Sequence, residues 1–388
     1  MTPFDMGRAP PVIFGSGRIA EVAGPIAALG GGPVLIVADA ALAEFGMTAR
    51  LEAALEIAGV PFELAALVSG EPKEALVDAL TEIARSMGAK LVIGFGGGAA
   101  MDAAKLVAAI APSGDPAAKF AVGGHAFPAN GLPAIAIPTT AGTGSEVTRT
   151  SIVSTKDGVK NWYWGEELGF DWAILDAELT VSLPANLTAW TGIDAIAHAL
   201  EAATSRSSNA PGRLYGFEAL RLLAEALPRA VADGDDLAAR QQVLWASTVA
   251  GLALHNCNAH MGHNISHALG SLARIHHGLA TGLALEVSLP WLVARPEGAE
   301  NYAIAAEALG GPRQAGALAG AFAAIMRACR IDPHLPPACA EVSASALAIS
   351  MKHPTNRLIS QNAACPVTDD DLDEMAAMMM RLPLANAA

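Results

Sequence analysis

The 388-residue sequence predicts an α/β domain over residues 1–182, followed by an all-helical domain over residues 183–388. Three observations predict it. The length exceeds what one hydrophobic core usually serves, which points to two domains. Up to about residue 150, short apolar runs alternate with amphipathic stretches, the pattern of βαβ units and a mostly parallel sheet. From about residue 183 the strand-like runs stop, and long Ala- and Leu-rich helical patterns continue to the C-terminus.

The elements follow in chain order. PVLIVADAA (33–41) reads as a strand ending at a loop, and ARLEAALEIAG (49–59) as a helix stopped by Gly59. EPKEALVDALTEIARSMGA (71–89) is a second helix. KLVIGFGGG (90–98) is a buried strand running into three glycines, and AMDAAKLVAAIAP (100–112) a helix ended by Pro112. LPAIAIPTTAGTGSE (132–146) is a strand feeding a loop of small residues. In the second half, 186–205, 213–232 and 241–271 have helical patterns, and Thr368 before Asp369, Asp370 and Asp371 marks a helix start.

Composition removes several function classes. With 52% hydrophobic and 16% charged residues the chain is not disordered, and a formal charge of −14 argues against nucleic-acid or anionic-membrane partners. No run of about 18 uncharged apolar residues suggests a membrane span. The four cysteines (Cys257, Cys329, Cys339, Cys365) form no CxxC pair, and the N-terminus lacks a signal-peptide pattern. A reducing cytoplasm is the expected location.

Two loops carry cofactor chemistry. Gly94, Gly96, Gly97 and Gly98 stand where a strand turns into a helix, so backbone can approach a diphosphate and helix-start N–H groups favour its charge. A tight turn would also use glycines, so this spacing alone is weak. PTTAGTGSEVT (138–148) follows another strand and offers Thr139, Thr140, Thr143 and Ser145 to phosphate or sugar oxygens. Asp39 ends the strand LIVAD. An acid there suits ribose hydroxyls and repels a 2′-phosphate, which favours NAD over NADP.

The second half carries a histidine and aspartate cluster. Six of the ten histidines fall between residues 255 and 277. Asp194 and His198 in GIDAIAHALE lie four apart, on one helical face, and His263 and His267 repeat that spacing. His277 follows after a loop. One carboxylate with imidazoles from separate elements is how a divalent metal with an open position is held. Spacing nominates His267 as readily as the others. His255, His260 and His276 read as supporting or structural groups.

These motifs resemble the iron-containing (group III) alcohol dehydrogenases along essentially the whole chain. GGGAAMDAAK (96–105) is similar to the family's diphosphate loop and PTTAGTGSEVT (138–148) to its second cofactor loop. GIDAIAHALEA (192–202) and His263-Asn-Ile-Ser-His267 with His277-Gly resemble its two metal motifs. The resemblance implies a Rossmann-like dinucleotide-binding domain and a helical metal domain, a dehydroquinate synthase-like architecture with the site in the cleft between them. It further implies metal ligation by Asp194, His198, His263 and His277, with His267 beside the substrate as a proton relay. Lys160 matches a lysine that approaches the cofactor, and Asp102 an aspartate near the dinucleotide.

The implied activity is metal-dependent, NAD-linked hydride transfer between the nicotinamide and an alcohol or aldehyde, with Fe²⁺ as the family's metal and Zn²⁺ an alternative. A homodimer or higher homo-oligomer is the family expectation. The chain departs from the family at Ala99, where relatives usually have serine. It departs again after Lys160, where Trp162, Tyr163, Trp164 and Trp172 suggest packing between domains. Three alternatives remain: a metal-independent reductase of maleylacetate reductase type, a dehydroquinate synthase-like lyase, and a non-catalytic binder. The lyase needs a Lys/Arg cluster for an acidic substrate, and the metal motifs offer only Arg206 and Arg274.

Overall fold

The computed structural model describes residues 3–385. It divides into two compact units, one spanning Arg8–Ser182 and the other running from Leu183 onward together with the segment up to Gly7.

The strands all lie in the first unit: β1 (Val12–Phe14), β2 (Val34–Asp39), β3 (Phe62–Val68), β4 (Leu91–Gly96), β5 (Ala134–Pro138), β6 (Thr150–Ser154), β7 (Lys160–Trp164) and β8 (Trp172–Leu175). Its helices are α1 (Ala23–Ala28), α2 (Ala40–Glu44), α3 (Ala49–Ile57), α4 (Glu74–Ser86) and α5 (Gly98–Ile110). Six strands form one parallel sheet in the order β1-β8-β5-β4-β2-β3, and β6 and β7 form an antiparallel pair. The sheet's apolar runs are continuous rather than alternating because β2, β4 and β5 are buried on both faces. Val34, Ile36, Ile93, Phe95, Ile135, Ile137 and Ile174 fill one core cluster. Their neighbours Leu35, Val37, Val92 and Ala136 are equally buried, each large apolar side chain contributing about 1.5–3 kcal/mol relative to exposure. Helix α5 packs against β4, β2 and β5.

The strand order places the residues expected to meet a cofactor. The chain goes from β2 outward to β3, then crosses back to lay β4 on the other side of β2. The carboxyl ends of β2 and β4 therefore flank a topological switch point, where open parallel sheets bind ligands. Asp39 ends β2 and Gly96 ends β4, and Gly96 pairs with Pro138 at the end of β5.

The second unit contains α6 (Ala185–Thr204), α7 (Ala210–Ala232), α8 (Leu237–Cys257), α9 (Met261–Leu272), α10 (His277–Val293), α11 (Ala299–Ala308), α12 (Leu318–Ala328), α13 (Ala344–Met351), α14 (Pro354–Ser360) and α15 (Asp369–Met379). Helices α6, α7 and α8 pack on one another, and α9 and α10 pack on α6. Helix α6 is buried nearly all round from Gly192 to Thr204, which makes it the central helix of this unit. Thr368 and Asp371 form a capping box at the start of α15, as the Thr-Asp run suggests.

The structure adds strands that the sequence pattern does not mark: β1, β3, β8 and the β6–β7 pair. Within the first unit the aromatic run divides between core and surface. Tyr163 is fully buried in the first unit, its hydroxyl donating to Glu74 Oε1 at 2.8 Å, and Trp172 packs against the sheet's core. Trp164 is 69% exposed because it alternates with Tyr163 along β7. Among the described residues, no helix is long and apolar enough to cross a membrane.

Candidate metal centre and cofactor loops

Helix α6 carries Asp194 and His198, α9 carries His263 and His267, and His277 opens α10. Asp194 Oδ1 lies 3.8 Å from His263 Nε2 and 3.5 Å from His277 Nε2. These spacings are long for hydrogen bonds. Ligands about 2.1 Å from a tetrahedral ion sit about 3.4 Å apart, so the spacings suit three donors around one ion. Among the described residues, Asp194, His263 and His277 form a group whose ligand atoms all lie within 4.8 Å of one another. Asp194 Oδ1 and His263 Nε2 are buried and have no hydrogen-bond partner. Two buried atoms that both present lone pairs, with no proton donor between them, are costly unless a cation bridges them. The donor set therefore fits a divalent ion.

His198 adjoins this group. Its ring stacks on His263 with centroids 4.6 Å apart, and its Nδ1 is 3.9 Å from Asp194 Oδ2. The structure thus brings three of the four expected ligands to a common point and sets the fourth beside them. His267 is buried next to them, its ring centroid 5.1 Å from His277 and 5.9 Å from His263. Gly278 lets α10 begin against α6: a Cβ there would stand 2.1 Å from the Trp190 carbonyl oxygen and 3.3 Å from Asp194 Cβ.

Glu201 is the site residue that the spacing argument passes over. It is fully buried on α6, and its carboxylate accepts from His263 Nδ1 at 2.5 Å and from the Gly262 N–H at 2.5 Å. Burial pushes this carboxyl up, yet His260, His263 and the Gly262 N–H outweigh it and hold it at about 2. Its position seven residues after Asp194 and three after His198 is the signal that could have found it. His260, read as a supporting group, places Nε2 3.1 Å from Thr204 Oγ1 and Nδ1 3.1 Å from Glu201 Oε1. His276 caps α10, its Nδ1 accepting from the Gly278 N–H.

In the first unit the two small-residue loops face each other. Gly97 precedes α5 with no side chain capping the helix start, which leaves that start suited to an anion. A Cβ on Gly97 would meet Thr140 Oγ1 at 3.3 Å, and one on Gly98 would meet Thr143 Cγ2 at 2.7 Å. Thr139 is buried, and its N–H donates to the Gly96 carbonyl at 2.9 Å, tying the loops together. Thr140 and Thr143 remain half-buried, lining the cradle. Asp39 accepts from the Ala41 N–H at 2.9 Å, capping α2, and the Asp39 backbone N lies 3.7 Å from where a Gly96 Cβ would be. The Gly96–Gly98 loop, the second loop and Asp39 thus meet at adjacent strand ends.

Asp102 and Ser145 serve each other here. Ser145 Oγ donates to Asp102 Oδ1 at 2.8 Å, and the Ile152 N–H donates to Oδ2 at 2.9 Å. Beside them Lys105, fully buried, donates to Thr148 Oγ1 and the Thr150 carbonyl. Burial pushes Lys105 down to about 8, with Asp102 and Glu146 opposing. Asp102 and Lys105 staple the second loop to α5. Lys160 lies on β7, its Nζ 3.3 Å from Glu71 Oε1.

Comparison with known proteins agrees with this geometry. The model of iron-containing alcohol dehydrogenase matches residues 9–177, and that of the Fe-containing alcohol dehydrogenase family C-terminal region matches 188–377. The chain belongs to the iron-containing alcohol dehydrogenase family. It is 35% identical over 309 residues to a sulfoacetaldehyde reductase of Bilophila wadsworthia, covering 79% of each chain. It is 30% identical over 303 residues to an NAD-dependent methanol dehydrogenase of Bacillus methanolicus, covering 78% of each. Among solved structures, a sulfoacetaldehyde reductase from Bifidobacterium kashiwanohense in complex with NAD+ superposes with a TM-score of 0.89 at 29% identity, covering 98% of this chain and 100% of that one. With the Asp/His centre in place, this member of the family is a metal-dependent, NAD-linked alcohol dehydrogenase or aldehyde reductase.

Proposed function

We propose that this protein reduces short aldehydes with NADH, and oxidises the matching primary alcohols, using Asp194, His198, His263 and His277 as metal ligands. The observation that carries this reading is the orphaned pair of Asp194 Oδ1 and His263 Nε2 beside His277. Bound there, a divalent ion such as Fe²⁺, or Zn²⁺ in its place, supplies Lewis-acid stabilisation of negative charge on the substrate oxygen, and the nicotinamide exchanges the hydride. His267 sits beside the ligands, and its imidazole gives the proton to the product oxygen in reduction and takes it in oxidation. Gly96, Gly97 and Gly98, with the α5 start, hold the diphosphate, and Thr140 and Thr143 line its far side. Thr139 and Ser145 shape that loop from within. Asp102 holds the loop in place, and Asp39 faces the ribose hydroxyls, which favours NAD over NADP. Lys160 reaches the cofactor from β7.

Four free, buried cysteines suit a reducing cytoplasm, and a homodimer is the assembly the family suggests. The domain division falls at residues 182 and 183. The relatives include reductases of an anionic aldehyde and a dehydrogenase of methanol, so the substrate class is tested with both kinds. NADH and NADPH oxidation are followed in parallel against unsubstituted, hydroxylated, carboxylated and sulfonated short aldehydes. Turnover with at least one of them, faster with NADH than with NADPH by about tenfold or more, is the expected result. No hydride transfer with any aldehyde, or a preference for NADPH, would overturn the reading.

A further inference from the structure

We propose that Glu201 is a positioning residue: it sets His263 as an Nε2 donor and thereby controls how tightly the centre holds its ion without touching it. The inference rests on the metal-dependent reading above and concerns a residue outside the ligand group.

Asp194, His198 and Glu201 follow one another along one face of α6. The first two point at the centre, and Glu201 reaches α9 behind it. Helix α9 has no side-chain cap of its own at His260. Glu201 replaces that cap from a different helix. Its two oxygens accept from the N–H groups of His260 (3.2 Å), Gly262 (2.5 Å) and His263 (3.3 Å), and from the His263 ring at Nδ1 (2.5 Å). A neutral imidazole carries its proton on one nitrogen and its lone pair on the other. With the proton on Nδ1 held by Glu201, the lone pair lies on Nε2, 3.8 Å from Asp194 Oδ1. The same contact fixes ring rotation and raises the basicity of the ligating nitrogen.

The fit is close on every side. A Cβ on Gly262 would come within 3.1 Å of Glu201 Oε1 and 2.8 Å of Leu285 Cδ2, so α9 can approach the carboxylate only with glycine there. On the far flank, Thr204 Oγ1 donates to the Leu200 carbonyl at 2.8 Å and so accepts from His260 Nε2 at 3.1 Å. That bond turns the His260 ring so that its Nδ1 lies 3.1 Å from Glu201 Oε1. Glu201 is held by the three N–H groups at the start of α9 and by the His263 ring, which keep its carboxylate against His263.

The test uses the full-length protein stripped of metal. Zn²⁺ affinity is measured by competition with chromophoric chelators, and the ligand field by Co²⁺ absorption, for the wild type, Glu201→Gln, His263→Ala and the double variant. NADH affinity and the apo melting temperature serve as fold controls. Glu201→Gln is expected to weaken Zn²⁺ binding about 10- to 100-fold and to alter the Co²⁺ spectrum, with NADH affinity unchanged. In the His263→Ala background the same substitution is expected to have little further effect, because its partner is gone. If Glu201→Gln does not accumulate as folded protein, Glu201→Asp, which keeps the charge but withdraws it by one methylene, carries the same measurements and the same expectation. Wild-type affinity and spectrum in the position-201 variant, or an equal loss with and without His263, would overturn the proposal. A wild type that binds neither ion would overturn the metal-dependent reading itself, and this inference with it.

Discussion

Asp194→Ala protein is expected to fold and bind NADH like the wild type, yet to hold no stoichiometric metal and to lose at least about a thousandfold in kcat/KM. Asp194 is the residue common to the centre's contacts: Oδ1 faces His263 and His277, and Oδ2 faces His198. Removing it takes away the only carboxylate of the ligand group and the charge that offsets the ion. Lewis-acid stabilisation is worth several kcal/mol, and each tenfold in rate is about 1.4 kcal/mol, which sets the expected scale. The apo fold should tolerate the change, because Oδ1 has no hydrogen-bond partner to lose. Metal content by mass spectrometry of the purified protein, near-UV circular dichroism and steady-state kinetics check the three parts separately. Bound metal at wild-type stoichiometry with wild-type turnover would remove Asp194 from the centre.

Gly98→Val is expected to weaken NADH binding by about 100-fold while leaving the metal centre intact. The reason is space. A Cβ on Gly98 already stands 2.7 Å from Thr143 Cγ2, and valine adds two methyl groups between the facing loops. Either the second loop is pushed off or the helix start is covered. Overpacking of this kind costs about 1–3 kcal/mol, which at its upper end is about the expected loss in affinity. NADH fluorescence titration measures the loss, and Zn²⁺ uptake serves as the control. Unchanged NADH affinity would mean that the diphosphate is held elsewhere.

These two sites differ in how plainly the sequence shows them. Asp194 with His198, and His263 with His267, stand out because imidazoles are rare and an i, i+4 spacing on a helix has one geometric meaning. The long helices of the second unit are legible for a similar reason, since twenty residues of one period leave little choice. The strand-to-helix turn at Gly96–Gly98 is visible because β4 is a continuous buried run that ends in glycine.

Other features depend on partners far along the chain. Glu201 sits inside a motif that spacing singles out, yet a glutamate on a helix ordinarily faces water. Only the arrival of α9 on α6 shows that its carboxylate caps another helix. Asp102 and Ser145 each lie in a motif that the sequence singles out, but their mutual hydrogen bond joins positions 43 apart. The short strands β1 and β8 carry three and four residues, too few for a period to register, and they exist because each is paired in the parallel sheet. The β6–β7 pair explains the aromatic run after Lys160: alternation along β7 sends Tyr163 inward to Glu74 and Trp164 outward.

Hydride transfer here depends on a divalent ion held by α6, α9 and α10. The most direct measurement is NADH-linked aldehyde reduction by EDTA-stripped protein, before and after anaerobic addition of Fe²⁺ in increments. Negligible activity is expected when stripped, with recovery that saturates near one ion per chain and Zn²⁺ competing for the same site. Full activity in the stripped protein, unchanged by added Fe²⁺ or Zn²⁺, would contradict that dependence and place the chain among metal-independent reductases of this superfamily.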